Sequence, residues 1–202
     1  MSIRNLLIFS ILLVAPAMSA LTATEVLDKV VGNFLNAPSI SISLTAQAGK
    51  TSMAGQLVMA REKFKYKSGA MDVYYDGTTQ WTVDGSSKEI SLTNPTLNEL
   101  SEINPLAFVT SYKKNYTVSM VSQSGGTYTV KLTANKKSAF VRSAQVVVNS
   151  STWMPTQVNA VLANGQSMTV RITSATKGKA LTINDFRFNP KSKPDFEVID
   201  LR

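Results

Sequence analysis

Nucleophilic and metal chemistry need residue types that this chain lacks. The sequence contains neither histidine nor cysteine, so Ser-His-Asp and Cys-His nucleophile systems cannot be assembled, and zinc sites built from His and Cys ligands are excluded with them. One reactive spacing remains, the Ser-x-x-Lys of Ser111-Tyr112-Lys113-Lys114, which activates a serine in some acyl-transfer enzymes. Here it falls at the end of a short helical stretch without the companion motifs of those enzymes. Carboxylate pairs for glycoside cleavage are also open in principle, yet residues such as Glu25, Asp76, Asp84 and Glu99 sit at caps and turns. No catalytic residue, cofactor or metal is therefore expected, and the chain reads as a non-enzyme.

What the sequence does supply is apolar surface on strands. Leu57, Met59, Phe64, Tyr66, Met71, Val73, Tyr75 and Trp81 lie on the early strands, and Met120, Val130, Leu132, Val158 and Val170 on later ones. From this set Leu57, Met59, Phe64, Tyr66, Val73, Tyr75, Trp81, Val130, Leu132, Val158 and Val170 form the candidate lining of a hydrophobic ligand site. The same residues are also what a plain core would need. The eight methionines favour a site that repacks around irregular partners, because a thioether chain has three rotors.

The elements that must position these residues are legible from periodicity. Thr22 followed by Glu25 forms a capping box, and Val26, Leu27, Val30, Val31, Phe34 and Leu35 recur at helical spacing until Asn36 and Pro38 end the helix. The period then becomes two, with Ile40, Ile42, Leu44 and Ala46 alternating with polar residues. Short strands are expected near 52–60, 63–67, 71–75, 78–83 and 88–92, turned by Asp76-Gly77 and Asp84-Gly85. A second capping box, Thr96 with Glu99, opens a helical insert carrying Leu97, Leu100 and Ile103, and Pro105 restarts it with Leu106, Phe108, Val109 and Tyr112. Strands resume at 116–121, 128–134 and 140–148, and Asn164-Gly165 joins 156–163 to 167–174 as the clearest hairpin. Runs at 179–188 and 196–201 complete a mainly β chain of roughly ten to twelve strands, pairing with their sequence neighbours in one large antiparallel meander. A sheet of that size must curl or close, and helices must cover its apolar concave face.

The N-terminus reads as a secretory signal. Arg4 precedes the apolar run from Leu6 to Val14, and the small residues Ala15, Ala17, Ser19 and Ala20 follow, so cleavage is expected after Ser19 or Ala20. Residues 1–20 are thus assigned to the signal peptide and 21–202 to one domain, working in the periplasm. Without cysteine there is neither a lipobox thiol nor a disulfide, so burial alone must stabilise the fold. The formal charge of +8, or +7 once Arg4 leaves, favours anionic surfaces or acidic partners. Nucleic acid is not expected of an exported chain without a recognition motif.

Three segments then acquire a common meaning. Gly55-Gln56-Leu57-Val58-Met59-Ala60-Arg61, Asp76-Gly77-Thr78-Thr79-Gln80-Trp81 and Phe186-Arg187-Phe188-Asn189-Pro190, in that order and spacing, resemble the outer-membrane lipoprotein carrier proteins of the LolA type. The resemblance covers nearly the whole chain after the signal segment. It implies an open half-barrel of antiparallel strands, with an N-terminal helix and short lid helices over the concave face. The enclosed hydrophobic cavity would shield the acyl chains of lipoproteins, or another lipid, on the way to the outer membrane. An inner-membrane donor complex and an outer-membrane acceptor would be the partners of a monomeric carrier. Leu97, Leu100, Ile103, Leu106, Phe108 and Val109 would then belong to the lid. In the family, an arginine after the second strand hydrogen-bonds to the lid and holds it shut when empty, and Arg61 stands at the matching place. The chain departs from the family pattern at Glu62, where proline is frequent, and at Val58, where an aromatic is usual. Two other readings stay open: a lipid-sensing regulatory subunit of the same fold, and a structural or adhesive β-sandwich whose apolar residues form only core.

Overall fold

The computed structural model describes residues 20–96, 99–100 and 112–202. The expected signal segment lies outside them except for Ala20, and so does Ser111 of the Ser-x-x-Lys spacing. The first element is helix α1 (Ala23–Leu35). Its start is set by the expected capping box: Glu25 N donates to Thr22 Oγ1 at 3.2 Å, and Thr22 N donates to Glu25 Oε2 at 2.8 Å. Two orphan backbone donors of the first turn are thereby satisfied. The hydrogen bond from the Thr22 backbone, aided by its hydroxyl, holds the Glu25 carboxyl below its ordinary range. The helix buries the stripe Ala23, Val26, Leu27, Val30 and Phe34.

Among the described residues, twelve strands follow. They are β1 (Ser39–Ala48), β2 (Thr51–Ala60), β3 (Lys63–Ser68), β4 (Met71–Tyr75), β5 (Gln80–Asp84) and β6 (Glu89–Thr93) in the first half. The second half holds β7 (Tyr116–Ser124), β8 (Thr127–Ala134), β9 (Val141–Asn149), β10 (Pro155–Leu162), β11 (Ser167–Gly178) and β12 (Glu197–Asp200). All belong to one sheet in the order β12-β6-β5-β4-β3-β2-β1-β11-β10-β9-β8-β7. The sheet is not closed, since β12 and β7 stand at its two ends. It is the open half-barrel that the sequence led us to expect, and a single sheet excludes the two-sheet sandwich.

Two expectations are corrected. The sheet is not a simple meander, because β1 pairs with β11 across the chain and β12 lies parallel beside β6. Residues 179–188 form no strand; β11 runs on to Gly178, and a 3-10 turn, Ile183–Phe186, follows. There Thr182 N donates to Asp185 Oδ2 at 2.7 Å, a local cap that turns the backbone away from an extended ladder.

The register gathers the apolar residues of most strands on the face beneath α1. Ile40 and Ile42 of β1 lie opposite Met59 and Leu57 of β2, which lie opposite Phe64 and Tyr66 of β3. Val130 and Leu132 of β8 lie opposite Val146 and Ala144 of β9. Residues of β2, β3, β8 and β9 all enter one core with the α1 stripe. Six inter-strand steps separate β3 from β8, about 29 Å in a flat sheet, whereas a thirteen-residue helix is about 20 Å long. Curling of the sheet is what brings both flanks under one helix.

Beyond β4 the pattern inverts. On β5 and β6 the buried side chains are Trp81, Val83, Ile90 and Leu92, which pair as Trp81 with Leu92 and Val83 with Ile90 on the opposite, outer face. Tyr74, Phe188 and Phe196 cover them in a second, smaller core. The C-terminal segment is tied down where Arg187 Nε donates to Asp76 Oδ2 at 2.7 Å. Burial opposes the charge on Asp76, but the bond from Arg187 and the backbone N–H groups of Thr79 and Thr78 outweigh it and hold its pKa below the ordinary range.

Candidate functional site

The inner face carries a cavity of about 300 Å³ lined by Leu57, Phe64, Tyr66, Met71, Val73, Gln80 and Thr82. Four adjacent strands build it. Leu57 faces Tyr66 across β2 and β3, Tyr66 faces Val73 across β3 and β4, and Val73 faces Thr82 across β4 and β5. Alternation along each strand keeps these residues on one face. Gly55 makes room for the wall: a Cβ there would lie 2.7 Å from the Tyr66 ring and hydroxyl, so only glycine lets that ring lie across β2. Phe64 is almost fully buried and packs against Tyr75, ring centroids 5.6 Å apart, closing the cavity toward the main core.

Of the eleven residues expected to line a cavity, Leu57, Phe64, Tyr66 and Val73 meet in this wall. Met59 and Tyr75 share its face but pack into the main core at 3% and 5% exposure. Val130 and Leu132 lie on the inner face of the far flank, at 0% and 1% exposure within the core that includes the α1 stripe. Val158 and Val170 oppose each other across β10 and β11, both half-buried, and Val158 packs against that core. Trp81 is not brought to this face and its expected place is corrected. Its ladder partner Tyr74 and its neighbour Leu92 belong to the outer core, because on β5 the inner positions are Gln80 and Thr82.

Met71 joins the wall from the apolar set already singled out, whereas Gln80 and Thr82 lie outside that set. The signal that points to them is the pair of aromatic residues in the closing segment, Phe188 and Phe196, which need a partner surface. Once Trp81 and Val83 supply it, the intervening residues of β5 must face inward.

Of the lid residues, Leu100 is described; it is 6% exposed and joins the main core. Leu97, Ile103, Leu106, Phe108 and Val109 lie outside the described residues. The start of that segment is capped as expected, with Thr96 N donating to Glu99 Oε2 at 2.7 Å. Its far end is anchored on α1, where the Tyr112 hydroxyl donates to Asp28 Oδ1 at 2.7 Å and Lys113 pairs with the same carboxylate at 2.8 Å. Burial raises the Tyr112 phenol far above its usual range and the Asp28 bond adds to it. On Asp28 burial acts against the charge, but the bonds from Lys113 and Tyr112 prevail and lower its pKa. Arg61 occupies the exposed two-residue turn between β2 and β3 at φ +55°, a left-handed conformation uncommon for a residue with a side chain.

Among the described residues no group of three or more acidic side chains is placed to hold a metal ion, and no helix is long and apolar enough to cross a membrane. An open half-barrel whose inner face holds an apolar cavity defines a protein that sequesters apolar ligands. Residues 13–166 match the family described as outer membrane lipoprotein carrier protein LolA, and the chain belongs to that family. Members are carrier or binding proteins of the periplasm that take lipids or lipoproteins, not enzymes. No curated protein matches the sequence.

Solved structures repeat the fold at low identity. An uncharacterized conserved protein from Thermus thermophilus is similar with a TM-score of 0.61 and 9% identity, over 88% of this chain and 98% of that one. The Pseudomonas aeruginosa MucA/MucB complex follows with a TM-score of 0.52 and 13% identity, over 84% of this chain and 62% of that one. A LolA superfamily protein from Nitrosomonas europaea has a TM-score of 0.45 and 13% identity, over 84% of this chain and 99% of that one. At these identities the likeness to the first two concerns the fold alone.

Proposed function

We propose that this protein is exported by a signal peptide spanning residues 1–20 and works as a periplasmic carrier, its 21–202 domain shielding the acyl chains of lipoproteins between an inner-membrane donor and an outer-membrane acceptor. The observation that supports this reading is the apolar cavity bounded by Leu57, Phe64, Tyr66, Met71 and Val73. Each methylene kept from water contributes about 0.8 kcal/mol, so a sixteen-carbon chain amounts to on the order of 12 kcal/mol. No flat patch shields that much hydrocarbon. The cavity lies at the lower end of the range of about 300–1,000 Å³ typical of ligand sites. It takes part of a chain as it stands, and a longer stretch requires the wall to yield. Met71, 42% exposed and able to change rotamer cheaply, is the residue suited to that movement.

A carrier must also surrender its cargo. A cover that closes over the empty cavity competes with the ligand and lowers net affinity, because binding must then displace those contacts. In this reading the 97–109 segment is the cover and Arg61 its latch, with an exposed guanidinium that no described residue engages. Arg61→Leu should then speed uptake of a labelled acylated peptide and slow its release to an acceptor. Unchanged rates in stopped-flow fluorescence would retire the latch.

The decisive experiment on the function is mass spectrometry of the protein purified gently from its native envelope. Lipoprotein or lipid is expected to travel with it. Protein that emerges empty and takes up no labelled acylated peptide would count against transport. A lipid-free protein found bound instead to a membrane-anchored regulator would favour the regulatory reading of the same fold.

A further inference from the structure

The charges of this chain are unevenly placed. Between Ile103 and Asn184 the sequence holds nine Lys or Arg and no Asp or Glu, so all thirteen carboxylates lie elsewhere. That stretch supplies β7 to β11, five strands that lie side by side as one flank of the sheet. In the other flank and the closing segment cations meet carboxylates, as in the pairs Lys67 with Asp72, Lys88 with Asp195 and Arg187 with Asp76. The acidic side chains that α1 brings near β7 and β8 are already engaged, Glu25 by the Thr22 cap and Asp28 by Tyr112 and Lys113. Among the described residues, Lys114, Lys136 and Lys137 have no carboxylate partner.

These three lysines meet at one end of the flank. Asn135 N donates to Asn115 O at 2.9 Å and Asn135 Nδ2 to Lys114 O at 3.4 Å, which sets Lys114 beside Lys136 where the β7–β8 ladder ends. Lys137 follows in the turn to β9, where Ala139 N donates to Lys136 O at 3.2 Å. All three side chains are exposed. The same turn presents Phe140, an exposed aromatic residue. Ala163 N donates to Phe140 O at 2.7 Å, so the β10–β11 hairpin is tied to this turn, and it adds the exposed Val161. Apolar side chains beside unpaired lysines suit a lipid surface, where the cations meet headgroup phosphates and the ring enters the headgroup boundary. A strongly acidic peptide answers the lysines but gives Phe140 and Val161 little to bury against.

We propose that this end of the β7–β11 flank docks the protein on membranes rich in anionic phospholipid, with Lys114, Lys136 and Lys137 at the phosphates and Phe140 in the interface. The proposal goes beyond the carrier reading and does not depend on it, because the cavity is built on β2 to β5. So few contacts give reversible attachment rather than anchoring.

The test is flotation of the protein, purified from its native envelope, with vesicles of phosphatidylcholine alone or mixed with phosphatidylglycerol. Binding is expected to the mixed vesicles at about 0.01 M salt, and to weaken as salt rises to about 0.15 M. A lysine close to an anionic bilayer contributes about fivefold in affinity, so the double variant Lys136→Gln, Lys137→Gln is expected to lose about twentyfold. The control, Lys88→Gln with Lys191→Gln, removes the same charge from exposed positions outside the flank and is expected to lose less than about threefold. Equal losses in the two double variants would show that net charge alone drives adsorption and overturn the proposal. Phe140→Ser is expected to bind the mixed vesicles several-fold more weakly, and full affinity in that variant overturns the insertion of the ring. Equal binding to neutral and mixed vesicles, or binding to poly-L-glutamate in the absence of any binding to vesicles, overturns the proposal, the latter in favour of an acidic protein partner. Uptake of a labelled acylated peptide in vesicle-free solution reports on the carrier reading separately, so either can fail while the other stands.

Discussion

Val73→Trp is expected to cut the affinity for an acyl probe by about two orders of magnitude while leaving the sheet folded. Val73 projects from β4 into the cavity between Tyr66 and Thr82, and it is only half-buried. An indole at that position grows into open space rather than into a filled core, so the overpacking penalty of about 1–3 kcal/mol seen in dense interiors is an upper bound. The ligand suffers instead. If the indole displaces about four methylenes of the chain, roughly 3 kcal/mol of burial is lost, which corresponds to about a hundredfold or more in affinity. Val58→Trp serves as the control. Val58 follows Leu57 on β2 and so faces the other side of the sheet, where an indole meets no cavity. Probe displacement with both variants, alongside circular dichroism, decides the matter. Full affinity in Val73→Trp together with a loss in Val58→Trp would place the ligand on the wrong face of the sheet.

The same alternation explains what could be read from the chain and what could not. The α1 cap at Thr22 and Glu25, the period-two pattern of β1 and the Asn164-Gly165 turn are local, and each is visible because neighbours in sequence make the deciding contacts. Gly165 takes φ +83°, as the hairpin needs. The pairing of β1 with β11 joins residues such as Ile40 and Lys177, and nothing local announces it. The face of a strand is a harder matter. On β3 the partner set is charged, with Lys63, Lys65 and Lys67 alternating with Phe64 and Tyr66, so the inner face is unambiguous. On β5, Gln80, Thr82 and Asp84 alternate with Trp81 and Val83, and the hydrophobic set goes wherever a cover exists. Two covers compete for it. The closing segment provides one on the outer face, which the long-range pairing of β12 with β6 and the ion pair of Arg187 with Asp76 bring into place. Hence the face is legible on β3, where lysines alternate with aromatic residues, while Trp81 is misassigned on a strand whose apolar set is covered by the closing segment.

That competition makes Trp81 the discriminating position for the whole architecture. Trp81→Ala should lower stability by about 3–5 kcal/mol and shift the unfolding midpoint by on the order of 10 °C, without altering acyl affinity. Trp81 is 8% exposed and packs with Val83, Ile90 and Leu92 beneath Phe188 and Phe196. Removing the indole leaves a cavity in that small core and loosens the closing segment, whose aromatic residues lose their partner surface. The damage stays on the outer face. The inner wall keeps Leu57, Tyr66 and Val73, and the β4–β5 ladder that carries Thr82 to Val73 is a backbone pairing that does not require the indole. Urea unfolding followed by tyrosine and far-ultraviolet signals measures the first effect, and probe titration well below the variant's midpoint measures the second. A variant that binds acyl probe as weakly as Val73→Trp yet unfolds like wild type would show the indole lining the ligand site. The inversion of β5 would then be wrong, and with it the assignment of Gln80 and Thr82 to the cavity, because residues adjacent on one strand cannot all face the same way.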